Sequence, residues 1–279
     1  APKYVHTAQL MKMDGGSKRK LSKRKDPELA LDFYNAEGYP VPSVLEYLMT
    51  LLNSNFEDWR LANPTAPMGD FQFTTKKMGN SGSLFDIDKL KDVSKNTISV
   101  MSADQVYDEV TAWAKDFDPQ LYTLLTADEQ KAKAIFAIGR GGAKPRKDIA
   151  IWSEVKDYVA FFYEELFTAA SEYPENVSTQ DALDILTQYR SLYSPADDGE
   201  TWFNKVRELG ESLGFAAKPK DYKKNPDQYK GHVGDVSQVI RLAITGRTNS
   251  PDLCSVMQIL GEEVCQQRLA QAIELLSNR

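Results

Sequence analysis

Apolar residues recur along most of the chain at the three-and-four spacing of helices that bury one side. Asp26-Pro27-Glu28 gives the first start signal: an acceptor side chain for the N-cap, a proline whose missing N–H costs nothing in the first turn, and a carboxylate at the positive helix end. Leu29, Ala30, Phe33 and Tyr34 supply a face, and Gly38 ends the run. A second helix is predicted after Pro42-Ser43 with Val44, Leu45, Leu48, Leu51 and Leu52 turned inward. The stretch 64–82, rich in Pro, Gly, Thr and Lys, has no helical period and predicts a loop with short strands around Phe71-Gln72-Phe73. Ser102 with Gln105, and Thr126 with Glu129, have the spacing of capping boxes, and glycines within 139–142 interrupt the second helix. Residues 148–169 then carry a broad apolar side, including Ile149, Trp152, Val155, Val159 and Phe162, which predicts one long, deeply buried helix.

Further helices are predicted over 178–193, over 197–210 with Trp202, Phe203, Val206 and Leu209 on its apolar side, over 236–245, from Ser250-Pro251 onward, and over 262–276 after Gly261. Between them 218–235 is basic, polar and broken by Pro219, Pro226, Gly231 and Gly234, which predicts a surface excursion. There is no internal repeat and no low-complexity tract. The fold class implied by this pattern is mainly α, with a small mixed α/β region ahead of helical units.

Composition changes this picture little. A chain of 279 residues, 42% of them hydrophobic, can bury a core and hold two or three packed units. No apolar run is long enough to span a membrane and the amino terminus lacks the apolar stretch of a secretory signal, so a cytoplasmic location is expected. Cys254 and Cys265, the only cysteines, lie in apolar-periodic sequence and are expected as reduced core residues. No metal site is expected.

Charge adds more, because it is uneven. The whole chain is at −6, yet residues 1–26 hold eight basic and two acidic side chains, and 218–247 hold seven basic and three acidic ones. Either patch could meet phosphate on a large ligand. The first contains Gly15-Gly16-Ser17-Lys18-Arg19-Lys20-Leu21-Ser22-Lys23-Arg24, a glycine-preceded loop in which Lys20 and Lys23 can bring two ammonium groups to a polyphosphate and Ser22 can add a hydroxyl. A solvated basic tail is the competing reading. It is not a P-loop, since the Gly-Lys-Ser/Thr order is absent.

Lys20-Leu21-Ser22-Lys23-Arg24 resembles the Lys-Met-Ser-Lys-Ser signature of class I aminoacyl-tRNA synthetases, in a form similar to that of glutamyl enzymes. Lys25-Asp26-Pro27-Glu28, the Tyr39-Pro40 turn and Leu45-Glu46-Tyr47-Leu48 resemble the segment after that signature in glutamyl-tRNA synthetases. Ser83 to Leu90 resembles an element of the stem-contact region, and Arg241 to Arg247 with Ser250-Pro251 and Ile259-Leu260-Gly261 is similar to the anticodon-binding region. These four landmarks occur in family order over most of the chain. Glutaminyl enzymes share the loop signature, but distal β-barrels would be expected of them in place of helices.

The resemblance implies an enzyme that activates glutamate with ATP and magnesium and transfers it to the terminal ribose of tRNA glutamate; whether tRNA glutamine is also charged stays open. Lys20 and Lys23 would contact ATP phosphates, with Ser22 as a hydrogen-bonding helper, while Arg19 and Arg24 could contact phosphate or stay solvated. Only 19 residues precede Lys20, so the nucleotide-binding catalytic domain would lie outside this chain, which is expected to be catalytically incomplete and to need that domain as a partner. Neither His6 nor His232-Val233-Gly234-Asp235 replaces its histidine signature.

For RNA contact the candidates are Arg241 and Arg247, the lysines Lys218, Lys220, Lys223, Lys224 and Lys230, and Arg140 with Lys144. Each has a bland alternative: Arg241 a buried helix-to-helix ion pair, the lysines a solvated surface, Arg140 and Lys144 a merely basic loop. The implied organisation is a stem-contact region over 1–101, a helical anticodon-binding part over 102–194 and a second over 195–279, in a monomer without a cofactor of its own. The alternative is a standalone RNA-binding or helical protein-interaction module derived from a synthetase tail.

Overall fold

The computed structural model of the protein describes residues 4–278; Lys3, one of the amino-terminal basic residues, lies outside them. The chain is mainly helical with one small sheet, the class predicted from its pattern. Two compact units divide between Tyr158 and Val159. The stretches 1–101, 102–194 and 195–279 are distinguished by what each would contact, whereas this division is one of packing.

The first unit begins with a hairpin of β1 (Leu10–Asp14) and β2 (Ser17–Lys20), and β3 (Ser83–Leu84) joins β1 in parallel to give the order β2-β1-β3. Gly15 and Gly16 turn the hairpin at φ 54° and 86°, the left-handed values that a two-residue turn of this hand needs at both central positions. Helices α1 (Leu31–Glu37), α2 (Val41–Leu52), α3 (Phe56–Ala62), α4 (Ile87–Ser99), α5 (Ala103–Phe117), α6 (Pro119–Ala127) and α7 (Glu129–Ala137) come next. α2 packs on α4 over a core that includes Leu21, Tyr39, Tyr47, Phe85 and Leu90. The Tyr47 hydroxyl accepts from the Asp86 N–H at 2.6 Å, and Ser94 donates to the Ala150 carbonyl at 2.5 Å, so these two buried hydroxyls are used rather than stranded.

Several expectations shift in this unit. Leu45 is exposed, because the buried line of α2 runs through Ser43 and Tyr47, four residues apart, and Leu45 falls off it. Phe71-Gln72-Phe73 forms no strand: Phe71 sets its ring edge-on to Phe56 at 5.0 Å while Phe73 is exposed, between 3-10 turns at Met68–Asp70 and Thr75–Lys77. Ser102 and Gln105 form the expected capping box at α5. Thr126 instead returns its hydroxyl to the Tyr122 carbonyl within α6, and Asp128 caps α7 through the Lys131 N–H.

The long helix expected over 148–169 is not formed. Ile151 is extended, Trp152–Glu154 is a 3-10 turn, α8 (Val155–Val159) is five residues long, and Ala160–Phe162 is another 3-10 turn. The contiguous apolar runs 149–152 and 159–163 explain this, since one straight helix would turn part of each run to solvent. Breaking the helix buries Ile149, Ala150, Ile151 and Trp152 in the first unit and Phe161, Phe162 and Tyr163 in the second. Burial was legible here, but not the backbone that achieves it.

The second unit contains α9 (Thr179–Leu192), α10 (Gly199–Ser212), α11 (Pro219–Lys224), α12 (Val233–Thr245), α13 (Leu253–Leu260) and α14 (Glu262–Ser277). α9 packs on α12 and α14, and α10 on α12. At its centre Trp202 donates to the Tyr189 hydroxyl at 2.8 Å, which faces the Met257 sulfur at 3.4 Å; burial pushes the Tyr189 phenol well above its ordinary range. Cys254 and Cys265 are buried free thiols. Within the expected excursion 218–235, Pro219 instead opens the short α11. His232 is the N-cap of α12, its Nδ1 accepting from the Gly234 N–H at 3.0 Å. Ser250 does not cap α13; its hydroxyl is taken by Arg241, and Asp252 accepts from the Ser255 N–H at 2.8 Å. Among the described residues no helix is long and apolar enough to cross a membrane.

Candidate functional site

The sequence loop around Lys20 and Lys23 is a folded ribbon and turn. In the hairpin Lys12 lies opposite Arg19, Met13 opposite Lys18 and Met11 opposite Lys20. Because strand side chains alternate, Lys12 and Arg19 share one face and Lys18 and Lys20 the other. Beneath the first face are two buried carboxylates. Arg19 forks onto Asp26 at 2.7 and 2.8 Å and reaches Asp14 at 2.6 Å, while Lys12 pairs with Glu28 and lies 3.8 Å from Asp26. The Arg19 guanidinium, helped by the Ser22 N–H, holds the Asp26 carboxyl well below the usual carboxylate range, and Asp26 in turn raises Arg19.

The turn after β2 is equally defined. Leu21, buried in the core, donates its N–H to the Leu10 carbonyl at 3.0 Å. The Ser22 carbonyl accepts from the Lys25 and Asp26 N–H groups at 3.0 and 2.9 Å, and the Ser22 hydroxyl accepts from the Arg24 N–H at 3.4 Å. Lys20, Lys23, Arg24 and Lys25 are thereby exposed on a hydrogen-bonded backbone, and the glycine-preceded loop expected here is corrected to a hairpin and turn. Arg19 also departs from both expected roles, since its guanidinium serves Asp26 and Asp14.

In the second unit Lys218, Lys220, Lys223 and Lys224 are exposed at and along α11, so four ammonium groups occur within seven residues. Lys230 is ion-paired to Asp181 at 2.5 Å. Arg241 donates to the Ser250 and Pro251 carbonyls at 3.3 and 3.2 Å and thereby holds the segment before α13. Arg247 follows the left-handed Gly246 at the end of α12, half-buried, with its guanidinium carbon 5.9 Å from the Phe161 ring centroid. In the first unit Arg140 donates to the Phe136 and Ile98 carbonyls, both at 2.6 Å, where burial lowers its pKa, while Lys144 is exposed.

Residues 105–273 match the family described as the anticodon binding domain. The chain belongs to that family. It is homologous to glutamate–tRNA ligases along nearly its whole length: it is 48% identical to the ligase of Acetivibrio thermocellus over 98% of the chain and 47% identical to that of Clostridium beijerinckii over 99%. The chain spans about half the length of these relatives, 50% and 51% respectively. The crystal structure of a glutamate tRNA ligase from Elizabethkingia meningosepticum in complex with its amino acid shares the fold, with a TM-score of 0.64 at 19% identity over 98% of this chain and 52% of that one.

Most of the sequence-derived candidates fall into two groups. Lys20, Lys23, Lys218, Lys220, Lys223, Lys224 and Lys144 are exposed and suited to meeting phosphate. Arg140, Arg241 and Lys230 have internal partners that use their charge or their N–H groups inside the fold. Two features escape a reading of residues one at a time. Asp26 looks like a helix N-cap, but its side chain makes no cap bond and serves the hairpin instead. Arg268 lies within the apolar period of α14, with no local signal that it is 2% exposed. Two acids directly after a basic run was the one available sign of the former.

Proposed function

We propose that this chain is the tRNA-recognition part of an ATP-dependent ligase that activates glutamate and joins it to tRNA glutamate in the cytoplasm. The observation that carries the reading is the collinear likeness of nearly the whole chain to glutamate–tRNA ligases, from the lysine turn to α14. In that reading Lys20 and Lys23 meet the phosphates of ATP, delivered as its magnesium complex, and offset the charge that builds on the leaving pyrophosphate as the glutamate carboxylate attacks the α-phosphorus and takes the adenylyl group. The Ser22 hydroxyl can donate to the same anion. The chemistry asks for positioning and charge rather than for a nucleophile, which suits a rigid lysine-bearing turn. In the same reading the lysines of α11 and Lys144 add phosphate affinity, and Arg247 contacts unstacked bases. Acceptance of tRNA glutamine and a monomeric state belong to the same proposal.

The test is binding of the purified chain to folded tRNA glutamate at fixed salt, with an anticodon-altered tRNA as comparator. Loss of specific base contacts should weaken binding at least ten-fold, about 1.4 kcal/mol. Equal binding of both tRNAs would indicate an RNA-binding module that does not read the anticodon. A folded chain that binds neither would defeat independent recognition.

A further inference from the structure

Asp26 is 2% exposed and sits at the foot of the lysine-bearing turn. Its Oδ2 accepts from the Ser22 N–H and from Arg19 Nη1, both at 2.7 Å, and its Oδ1 accepts from Arg19 Nη2 at 2.8 Å. Its own N–H returns to the Ser22 carbonyl at 2.9 Å. One carboxylate thus ties down Arg19 at the end of β2 and Ser22 in the turn. Lys20 and Lys23 each come directly after one of these anchored residues, and Leu21 between them is fixed in the core.

A carboxylate is an unexpected neighbour for a phosphate-binding turn, because its field repels the anion. A burial this deep, with a forked guanidinium and a backbone N–H on the same group, is built to fix geometry. We propose that Asp26 is a positioning residue: its buried carboxylate holds Arg19 and the Ser22 backbone so that Lys20 and Lys23 are presented together to one polyphosphate anion. The inference rests on the proposed role of that turn and adds the group that shapes it. Glu28 with Lys12 braces the strand next to it.

Electrostatics alone and positioning predict opposite results. The experiment titrates the full chain with magnesium-free tripolyphosphate at low salt, monitoring backbone amide shifts, with thermal unfolding of each variant as the folding control. Asp26→Asn adds one unit of positive charge, so a pure charge effect tightens binding; positioning weakens it three-fold or more. Asp26→Glu keeps the charge and moves it by one methylene, so a pure charge effect leaves affinity unchanged, whereas positioning costs two-fold or more. Asp26→Asn binding as well as or better than the unaltered chain overturns the inference. Should that variant not fold, Asp26→Glu binding with unaltered affinity overturns it. The underlying reading fails separately: if the chain does not bind tripolyphosphate, or Lys20→Ala with Lys23→Ala leaves binding unchanged, the turn is no phosphate site and the role of Asp26 falls with it.

Discussion

Replacing Arg268 with alanine should destabilise the second unit by about 3–5 kcal/mol, from two buried carbonyls left without a donor and the loss of its contact with an aromatic ring. Arg268 projects from α14, and its Nη1 donates to the Ile244 carbonyl at 2.7 Å and the Phe161 carbonyl at 2.8 Å. Ile244 lies in the last turn of α12, where carbonyls have no partner within the helix, and Phe161 lies in the 3-10 turn after α8. The guanidinium also bonds to Glu164 and lies 3.6 Å from the Phe167 ring centroid. Alanine leaves two buried carbonyls unpaired, each at about 1–3 kcal/mol, and removes the stacked surface as well. Urea unfolding monitored by tryptophan fluorescence measures the change, since Trp202 reports on this unit. A loss below about 1 kcal/mol would mean that water replaces the guanidinium at both carbonyls and that Arg268 organises nothing.

The second large effect is expected at the end of α12. Gly246 has φ 70°, and a Cβ built there would lie 2.0 Å from the Thr168 carbonyl oxygen. Gly246→Ala therefore combines about 1–2 kcal/mol of left-handed backbone strain with a backbone overlap that only movement of the chain can relieve. A total of at least about 3 kcal/mol is expected. Gly214→Ala separates the two contributions, since φ there is 90° but the nearest atom outside its own neighbours is a Lys230 methylene at 3.8 Å. It should cost only about 1–2 kcal/mol in thermal unfolding. Equal losses at the two positions would show that the approach to Thr168 relaxes freely.

The fold class and most helix starts were legible because they depend on neighbours in sequence. Ser102 with Gln105, Ser178 before α9 and Asp198 before α10 make local bonds that the chain declares within four residues. The features that failed depend on competing partners. Thr126 and Ser250 have the right chemistry for caps, yet Tyr122 and Arg241 claim their hydroxyls. Leu45 has the right hydrophobicity, yet Tyr47 takes the inward position. The apolar run over 148–169 shows its burial clearly but leaves open where the backbone breaks, and the division of the chain into two packed units falls within this run.

The candidate site divides in the same way. Exposure of Lys20 and Lys23 can be read from the sequence, because nothing apolar adjoins them except Leu21, which is buried in the core. The partnership of Arg19 with Asp26 required the register of the hairpin, and that register is set by the Gly15-Gly16 turn together with the parallel contact of Leu10 and Met11 with β3. The resemblance to a synthetase signature located the turn and named its lysines. It did not indicate that two of the neighbouring cations face inward.

That inward pairing has a consequence for how the hairpin meets a polyanion. Of the seven cations between positions 12 and 25, Lys12 and Arg19 are already neutralised by protein carboxylates, and among the described residues the other five, Lys18, Lys20, Lys23, Arg24 and Lys25, make no ion pair. Under the proposed tRNA-recognition reading, only those five are left to displace condensed counterions from RNA phosphates. At roughly 0.7–0.9 released ions per neutralised phosphate, the hairpin's share of the slope of log affinity against log salt is at most about 4.5, where the bare sequence would suggest at most about 6. Part of its positive charge is spent on shape, and the ionic atmosphere around the ligand sees only what is left.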